Sequence, residues 1–439
     1  MHMQQKYFSI IVLNHNNTYI DECITSIKKY KAEQDEIIVV DDHSEYNNYK
    51  KLLKHIDAKC KIIQNTTHPH NLSYNRNLGV QHANYDYLLF LDGDAYFYDD
   101  CIQLLRKKLA KENVVCVTPY ADCMSIAPLQ LKLVYKDDFY KHLKEGTLEM
   151  LCKKYYVKDY RRRISINTLQ NKYNWCFFYG ICMGIKRGPF LQAGQFDESL
   201  FGWGMEDIDL TFRLKKYGRL EFVPEAQLFH MPHARNRYKN YEQNAYNFIH
   251  CLKKYNGFME WELNYRFCNL AELISIMEYI KYMHKNLKQE IPLQLENNTI
   301  YVNALSPEFP KGNVVVVQNG KKYIWKYIGV GIPVKNKQFE KCYLSMFVFN
   351  YPSPILAVLL QEACRIAEHV CIYKRKLIPS ITWGSNIEKK CKLHPRIFET
   401  YPVKIADFIF EDFGTYYSVK TSLPDTPYES TKGVYYEFL

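Results

Sequence analysis

Tyr85-Asp86-Tyr87-Leu88-Leu89-Phe90-Leu91-Asp92-Gly93-Asp94 is the stretch on which the fold turns. An apolar run of strand length stops abruptly in two carboxylates on either side of a glycine. Continuous apolar character, without alternation, marks a strand buried on both faces. The same pattern stands twice upstream. Tyr7-Phe8-Ser9-Ile10-Ile11-Val12-Leu13 runs into Asn14-His15-Asn16-Asn17, and Glu36-Ile37-Ile38-Val39-Val40 runs into Asp41-Asp42-His43-Ser44. Between the strands lie segments of helical spacing: Tyr19 to Tyr30 with Ile20, Cys23, Ile24 and Ile27, a stretch around Tyr49 to His55, and Asn71 to His82. Cys60-Lys61-Ile62-Ile63-Gln64 reads as a further strand. Regular alternation of this kind predicts an α/β fold, a mostly parallel Rossmann-like sheet with helices on both faces. Such sheets bind ligands beyond the carboxyl ends of their strands. Asn14 to Asn17, Asp41-Asp42 and Asp92-Gly93-Asp94 all lie at such ends.

Further along, Val114-Val115-Cys116-Val117 predicts a strand, followed by a basic stretch that includes Arg161-Arg162-Arg163. A strand-like run resumes within Phe177 to Phe190. After about residue 240 the pattern changes. Tyr241 to Tyr255 and Leu270 to Leu287 have helical character. Val314 to Val317, Asn319-Gly320 and Tyr323 to Tyr327 predict a hairpin on an Asn-Gly turn, and Pro352 to His369 predicts a helix. The expected organisation is a first domain over 1–240, a helical connector over 241–295, and a smaller mixed α+β domain over 296–439.

The chain has 439 residues, enough for two or three domains, and 47% hydrophobic with 24% charged residues is ordinary for a globular protein. A net charge of +11 suits an anionic partner or a solubility bias, but no basic block carries interleaved aromatics, so nucleic acid is not an expected partner. Peripheral association with a membrane surface stays open. Fourteen cysteines occur without any C-x-x-C spacing, which predicts buried thiols instead of a zinc site or disulfide framework. The strand at Phe8 begins without a signal-like segment, and Pro354 to Leu360 is too short to span a bilayer, so a cytoplasmic location is expected.

Several residues could carry chemistry. Asp92 and Asp94 on a tight turn suit a hard divalent cation that also holds phosphate oxygens, although Asp is common in turns for its own reasons. Asp42 could accept from a pyrimidine N–H or a ribose hydroxyl, or Asp41-Asp42 could cap a helix with Ser44. Arg76 could lock a strand-end Asp, bind a phosphate, or lie exposed on its helix. His230 and His233 could complete a metal site with Asp94. Gly202-Trp203-Gly204-Met205-Glu206-Asp207-Ile208-Asp209 packs three acids behind a Trp and two glycines. A helix N-terminus accounts for the acids but not for Gly-Trp-Gly.

Together these residues resemble the family 2 nucleotide-sugar glycosyltransferases of GT-A fold. The resemblance runs through Ser9 to Asn16, Ile38 to Ser44, Asn75-Arg76-Asn77-Leu78-Gly79 and Phe90 to Asp94. Ala193 to Asp207 looks like the galactosyltransferase-type half found in chondroitin-type polymerases and β-1,4-galactosyltransferases. The match covers roughly residues 7 to 240. It implies Asp42 and Arg76 at the nucleotide, Asp92 and Asp94 in the metal and diphosphate motif, and Asp94 as direct ligand with His230, His233 in reserve. It implies Asp207 as general base, with Glu206 and Trp203 in the acceptor pocket. The implied cofactor is Mn2+, or Mg2+, and the implied donor a UDP-sugar. Met205 stands where relatives often carry a second Gly, which is expected to narrow the acceptor pocket. Asp207 stands where retaining polypeptide N-acetylgalactosaminyltransferases usually have Asn, which favours inversion. The expected activity is hexosyl or N-acetylhexosaminyl transfer to a bacterial surface glycan in polysaccharide biosynthesis, or alternatively to a peptide or protein. Two other readings are a nucleotidyltransferase, disfavoured by a Gly-free loop at Asn14 to Asn17, and a glycan- or peptide-binding module on an inactive scaffold, disfavoured by intact Asp92, Asp94 and Asp207.

Overall fold

The structure is a computed structural model that describes residues 6–122, 141, 145, 159–231, 233, 237–256, 260–262, 295–302, 314–345, 348, 353–373, 408–412 and 416–421. The chain divides into two compact units, Met1–Asn247 and Phe248–Leu439.

In the first unit β1 (Phe8–Asn14), β2 (Glu36–Asp42), β3 (Cys60–Asn65) and β4 (Tyr87–Asp92) pair in parallel, with β1 between β2 and β4. Every residue of β1 and β2 is buried, which is why neither strand alternates in polarity. Successive side chains point to opposite faces. One face sends Ile10, Val12, Ile37, Val39, Leu89 and Leu91 against Ile20, Cys23, Ile24 and Ile27 of α1 (Ile20–Tyr30). On the other face Phe90 packs against Phe190 and Phe196, with ring centroids 5.5 and 5.2 Å away. The helices α2 (Tyr46–Leu53), α3 (Leu72–Gln81) and α4 (Cys101–Leu109) complete the expected alternation.

The parallel order stops at β4. With β5 (Ala95–Tyr96), β6 (Val114–Asp122), β7 (Cys182–Lys186) and β8 (Arg219–His230), the sheet runs β3-β2-β1-β4-β7-β6-β8-β5. β7 is antiparallel to β4 and β6, and Leu91 pairs with Cys182. The antiparallel strand therefore starts at the ligand edge of the sheet and delivers Gly180 there. β8 pairs with β5 through Ala95 and His230, which carries a histidine to the same edge. The basic stretch before β7 is not a solvated face. Arg161 is fully buried and donates to Asp159 and to the carbonyls of Phe177 and Pro119, while Arg162 pairs with Asp122.

The second unit holds a seven-stranded sheet, β11-β10-β9-β12-β13-β15-β14, formed from β9 (Thr299–Val302), β10 (Val314–Gln318), β11 (Lys321–Trp325), β12 (Phe339–Ser345), β13 (Ala367–Tyr373), β14 (Phe408–Asp412) and β15 (Tyr416–Thr421). The predicted hairpin is β10–β11, and Asn319 (φ 52°) with Gly320 (φ 67°) supplies the left-handed pair that its turn needs. The helix expected over Pro352 to His369 runs only over Ser353–Ile366, because the β-branched and apolar residues after it enter β13 beside β12. The helix expected at Leu270 to Leu287 lies outside the described residues. Among the described residues no helix is long and apolar enough to cross a membrane. No disulfide forms among them either, and nine of their cysteines are buried.

Candidate active site

The two acids at the end of β2 separate by role. Asp41 accepts from Asn14 Nδ2 at 2.6 Å, tying the ends of β1 and β2 together. Asp42 accepts from Asn65 Nδ2 at 3.3 Å and from the backbone N–H of His70 at 2.8 Å. Neither caps α2, whose N-cap position is Glu45 and makes no side-chain cap bond.

α3 begins on Asn71, whose side chain accepts from Tyr74 N at 2.9 Å. Its next turn sends three consecutive buried side chains in three directions. Asn75 Oδ1 accepts from Asn65 Nδ2 at 2.7 Å. Asn77 donates to Phe196 O and Glu198 Oε1 at 3.0 and 2.8 Å. Arg76 donates to Asp92 Oδ1 at 3.1 Å and to Glu206 Oε1 at 2.9 Å, lies 5.1 Å from the Phe196 ring centroid, and is 1% exposed. Arg76 is thus a lock between carboxylates, with both terminal nitrogens committed. Of the readings open to Arg76 in the sequence, this geometry is that of the lock on a strand-end Asp. Glu206 is also buried, and its carboxylate accepts from Arg76.

Glu206 and Asp207 open α5 (Glu206–Leu214), where free backbone N–H groups favour acids. Asp207 Oδ1 accepts from Ile208 N at 2.7 Å, and Oδ2 accepts from Gly180 N at 2.8 Å. Gly180 has to be glycine, since a Cβ there would stand 2.2 Å from an Arg76 nitrogen. Burial and the adjacent Glu206 charge push Asp207 up to about 7, against the opposing pull of Arg76 and of the two N–H groups. Asp92 is also raised, by burial first and then by Asp94 and Glu206, with Arg76 opposing. Asp209 is buried and bonded to Arg213 Nε at 2.9 Å, a structural task.

Ahead of α5 the backbone turns through left-handed conformations at Gly202 (φ 72°), Gly204 (φ 99°) and Met205 (φ 74°). Asn247, on α6 (Arg237–Lys254), donates to Phe201 O at 3.0 Å and Gly204 O at 2.8 Å, and Gln243 Oε1 accepts from Trp203 N at 3.1 Å. These bonds hold Trp203 as a ring 42% exposed. A residue other than glycine at Met205 explains part of its oddity: the position demands φ > 0, which costs a side chain roughly 1–2 kcal/mol.

Asp94, His230 and His233 converge. The Asp94 carboxylate, buried, lies 3.5 Å from His230 Nε2 and 3.0 Å from His233 Nε2. The sequence ranked His230 before His233; the structure brings both to Asp94. Oxygen and two imidazoles within 4.8 Å of one another form a donor set that Mn2+ accepts. The expected residues Asp92, Asp94, Glu206, Asp207, His230 and Arg76 therefore gather at one edge, with Asp42 at the next strand end but one. Sequence reasoning missed Gly180 and the Asn247 and Gln243 supports. A glycine in a strand-like run was the available signal for Gly180; the α6 contacts left none.

Residues 9–192, within the first unit, match the family model described as Glycosyl transferase family 2. N-acetylgalactosaminyltransferase 7 of Drosophila melanogaster is 27% identical over 205 residues, covering 45% of this chain and 34% of that protein. Putative polypeptide N-acetylgalactosaminyltransferase 9 of the same fly is 26% identical over 207 residues, covering 46% and 31%. The chain thus spans about a third of the length of these curated relatives. Among solved structures, GalNAc-T7 with UDP, GalNAc and Mn2+ is similar at 16% identity and a TM-score of 0.42, covering 60% of this chain and 50% of that one.

Proposed function

We propose that the first unit is an inverting, metal-dependent glycosyltransferase that moves a sugar from a UDP-sugar to an acceptor hydroxyl. The observation that carries this reading is the unbroken series Asp92–Arg76–Glu206, which fixes Asp207 and Asp94 at one sheet edge. Asp94, His230 and His233 would hold the cation. When bound, Mn2+ or Mg2+ there would offset the negative charge that gathers on the leaving diphosphate. Asp42 receives the N–H of the uracil base. Trp203 presents its exposed ring as a platform for the acceptor.

Asp207 is the base. It takes the proton of the acceptor hydroxyl while that oxygen bonds to the anomeric carbon from the face opposite the diphosphate, which departs with the bonding electron pair. No covalent intermediate on the chain is needed. A carboxylate raised toward 7 by burial and Glu206 is poised for this work, since a base near the working pH both stays available and accepts strongly. Arg76 positions Asp92 and Glu206 and keeps their charges from driving Asp207 further up.

For the acceptor, the motif order from Ala193 to Asp207 favours a glycan. The name of one fly relative, a putative polypeptide N-acetylgalactosaminyltransferase, favours a peptide or protein hydroxyl as the second reading. A panel of UDP-sugars with Mn2+, read first for hydrolysis and then for transfer to oligosaccharides or to Ser/Thr peptides, tests both. A chain that binds UDP but neither hydrolyses nor transfers any sugar would be a binding module, and the enzyme reading would fall.

A further inference from the structure

The first unit holds a second cluster of an acid and two imidazoles. His15, Asp42 and His70 come from the end of β1, the end of β2 and the loop before α3, and one ligand atom of each lies within 4.8 Å of the others. We propose that these three residues form a transition-metal site, of the class that takes Zn2+ or Co2+, separate from the site at Asp94.

Three features favour metal over a chance cluster. The first is the tautomer of His15. Its Nδ1 lies 2.6 Å from Asp42 O, and a carbonyl only accepts, so the neutral ring carries its proton on Nδ1 and leaves the Nε2 lone pair for a ligand. A ring nitrogen tied to a carbonyl is the usual support behind a metal-bound histidine. The second is orientation. His70 takes a left-handed backbone (φ 59°), held by its own N–H donating to Asp42 Oδ2 at 2.8 Å, and its ring meets that of His15 edge to face at 4.7 Å. The third is access: both histidines are exposed, whereas Asp42 is buried behind them. Two imidazoles and a carboxylate form a donor set that zinc and cobalt accept.

One consequence rests on the proposed role of Asp42 at the base. The same carboxylate oxygens cannot both ligate a cation and accept a uracil N–H, so metal at this site competes with the nucleoside half of the donor.

Cobalt titration of the full chain, followed by visible absorption, tests the site without any activity. The wild type is expected to show two classes of bound cobalt. Asp94→Ala loses one class; the double variant His15→Gln, His70→Gln loses the other and keeps the first. His70→Cys retains cobalt and adds a thiolate-to-metal charge-transfer band, which shows that a folded variant still binds through that position. Uridine, which has no diphosphate to draw metal, displaces the His15 class. Cobalt binding unchanged in the double variant, or no charge-transfer band in a folded His70→Cys, overturns the proposal. Cobalt that binds at His15 and His70 yet resists uridine supports the metal site and counts against Asp42 as the base contact.

Discussion

Arg76→Met probes the joint on which the site depends. Methionine keeps much of the volume but removes the charge between Asp92 and Glu206, which accept from the guanidinium at 3.1 and 2.9 Å. Removing one partner of a buried pair costs about 3–5 kcal/mol, because the other charge is left without compensation. The two carboxylates do not share this equally. The Asp92 side chain is partly enclosed, at 39% exposed, and is penalised less; the Glu206 side chain is 6% exposed and takes most of the loss. The lower end, about 3 kcal/mol, is therefore expected. At about 2–4 °C per kcal/mol for a unit of this size, the midpoint should fall by roughly 6–12 °C. The pH dependence has a definite sign. Asp92 is raised even with Arg76 present and rises further without it. An acid with a raised native pKa costs stability above its unfolded value of about 3.9, and that cost fades as pH falls through the native value. Urea unfolding should thus show the gap between variant and wild type widest above the raised Asp92 value and narrower as pH falls toward about 3.9. Adding Glu206→Gln to Arg76→Met should recover part of the loss. A single variant within about 1 kcal/mol of wild type at the higher pH, or a gap that does not narrow, would refute the reasoning.

Asp207→Asn should lower transfer by about 10²- to 10⁴-fold while UDP binding by calorimetry stays near wild type; full activity would remove Asp207 from the role of base. The pH profile of kcat/KM should rise along a limb set by Asp207, which burial and Glu206 push up to about 7 and a bound cation pulls back down; the same limb in Asp207→Asn would contradict this. Asp94→Ala should abolish metal-dependent UDP binding, and the same binding with and without Mn2+ in wild type would count against the site. Met205→Gly relieves a left-handed residue but frees the unfolded chain, so thermal unfolding should show a gain of about 0.5–1 kcal/mol; a loss would mean that the Met205 side chain packs to good effect.

The fold was legible where burial is extreme. β1, β2 and β4 read directly from their apolar runs, since strands enclosed on both faces have no polar face to disguise them. The antiparallel entry of β7 was not legible, because strand direction is set by which edge the chain reaches after residues 123–158, and no local pattern encodes that. The site was legible as residue types and only partly as roles. Asp41 and Asp42 are adjacent and chemically alike; Asn14, an element away, decides that Asp41 is structural. Arg76 and Glu206 were assigned to ligands, yet they satisfy one another across 130 positions of sequence. His15 stood in a strand-end loop and His70 carried no signal; only the approach of three chain segments brings both to Asp42.

The pair formed by Arg76 and Glu206 also explains why so many acids persist at one edge. Asp92, Asp94, Glu206 and Asp207 bring four like charges together, and Arg76 answers two of them by direct contact. Unit charges 4 Å apart at an effective dielectric near 20 repel by about 4 kcal/mol. A site with that deficit relieves it in one of two ways: it holds protons, or it takes up positive charge. Burial and the neighbouring carboxylates raise both Asp92 and Asp207, toward the first of these. Positive charge arriving near Asp94 lowers both acids and frees Asp207 to accept. The buried guanidinium sets the balance between these states.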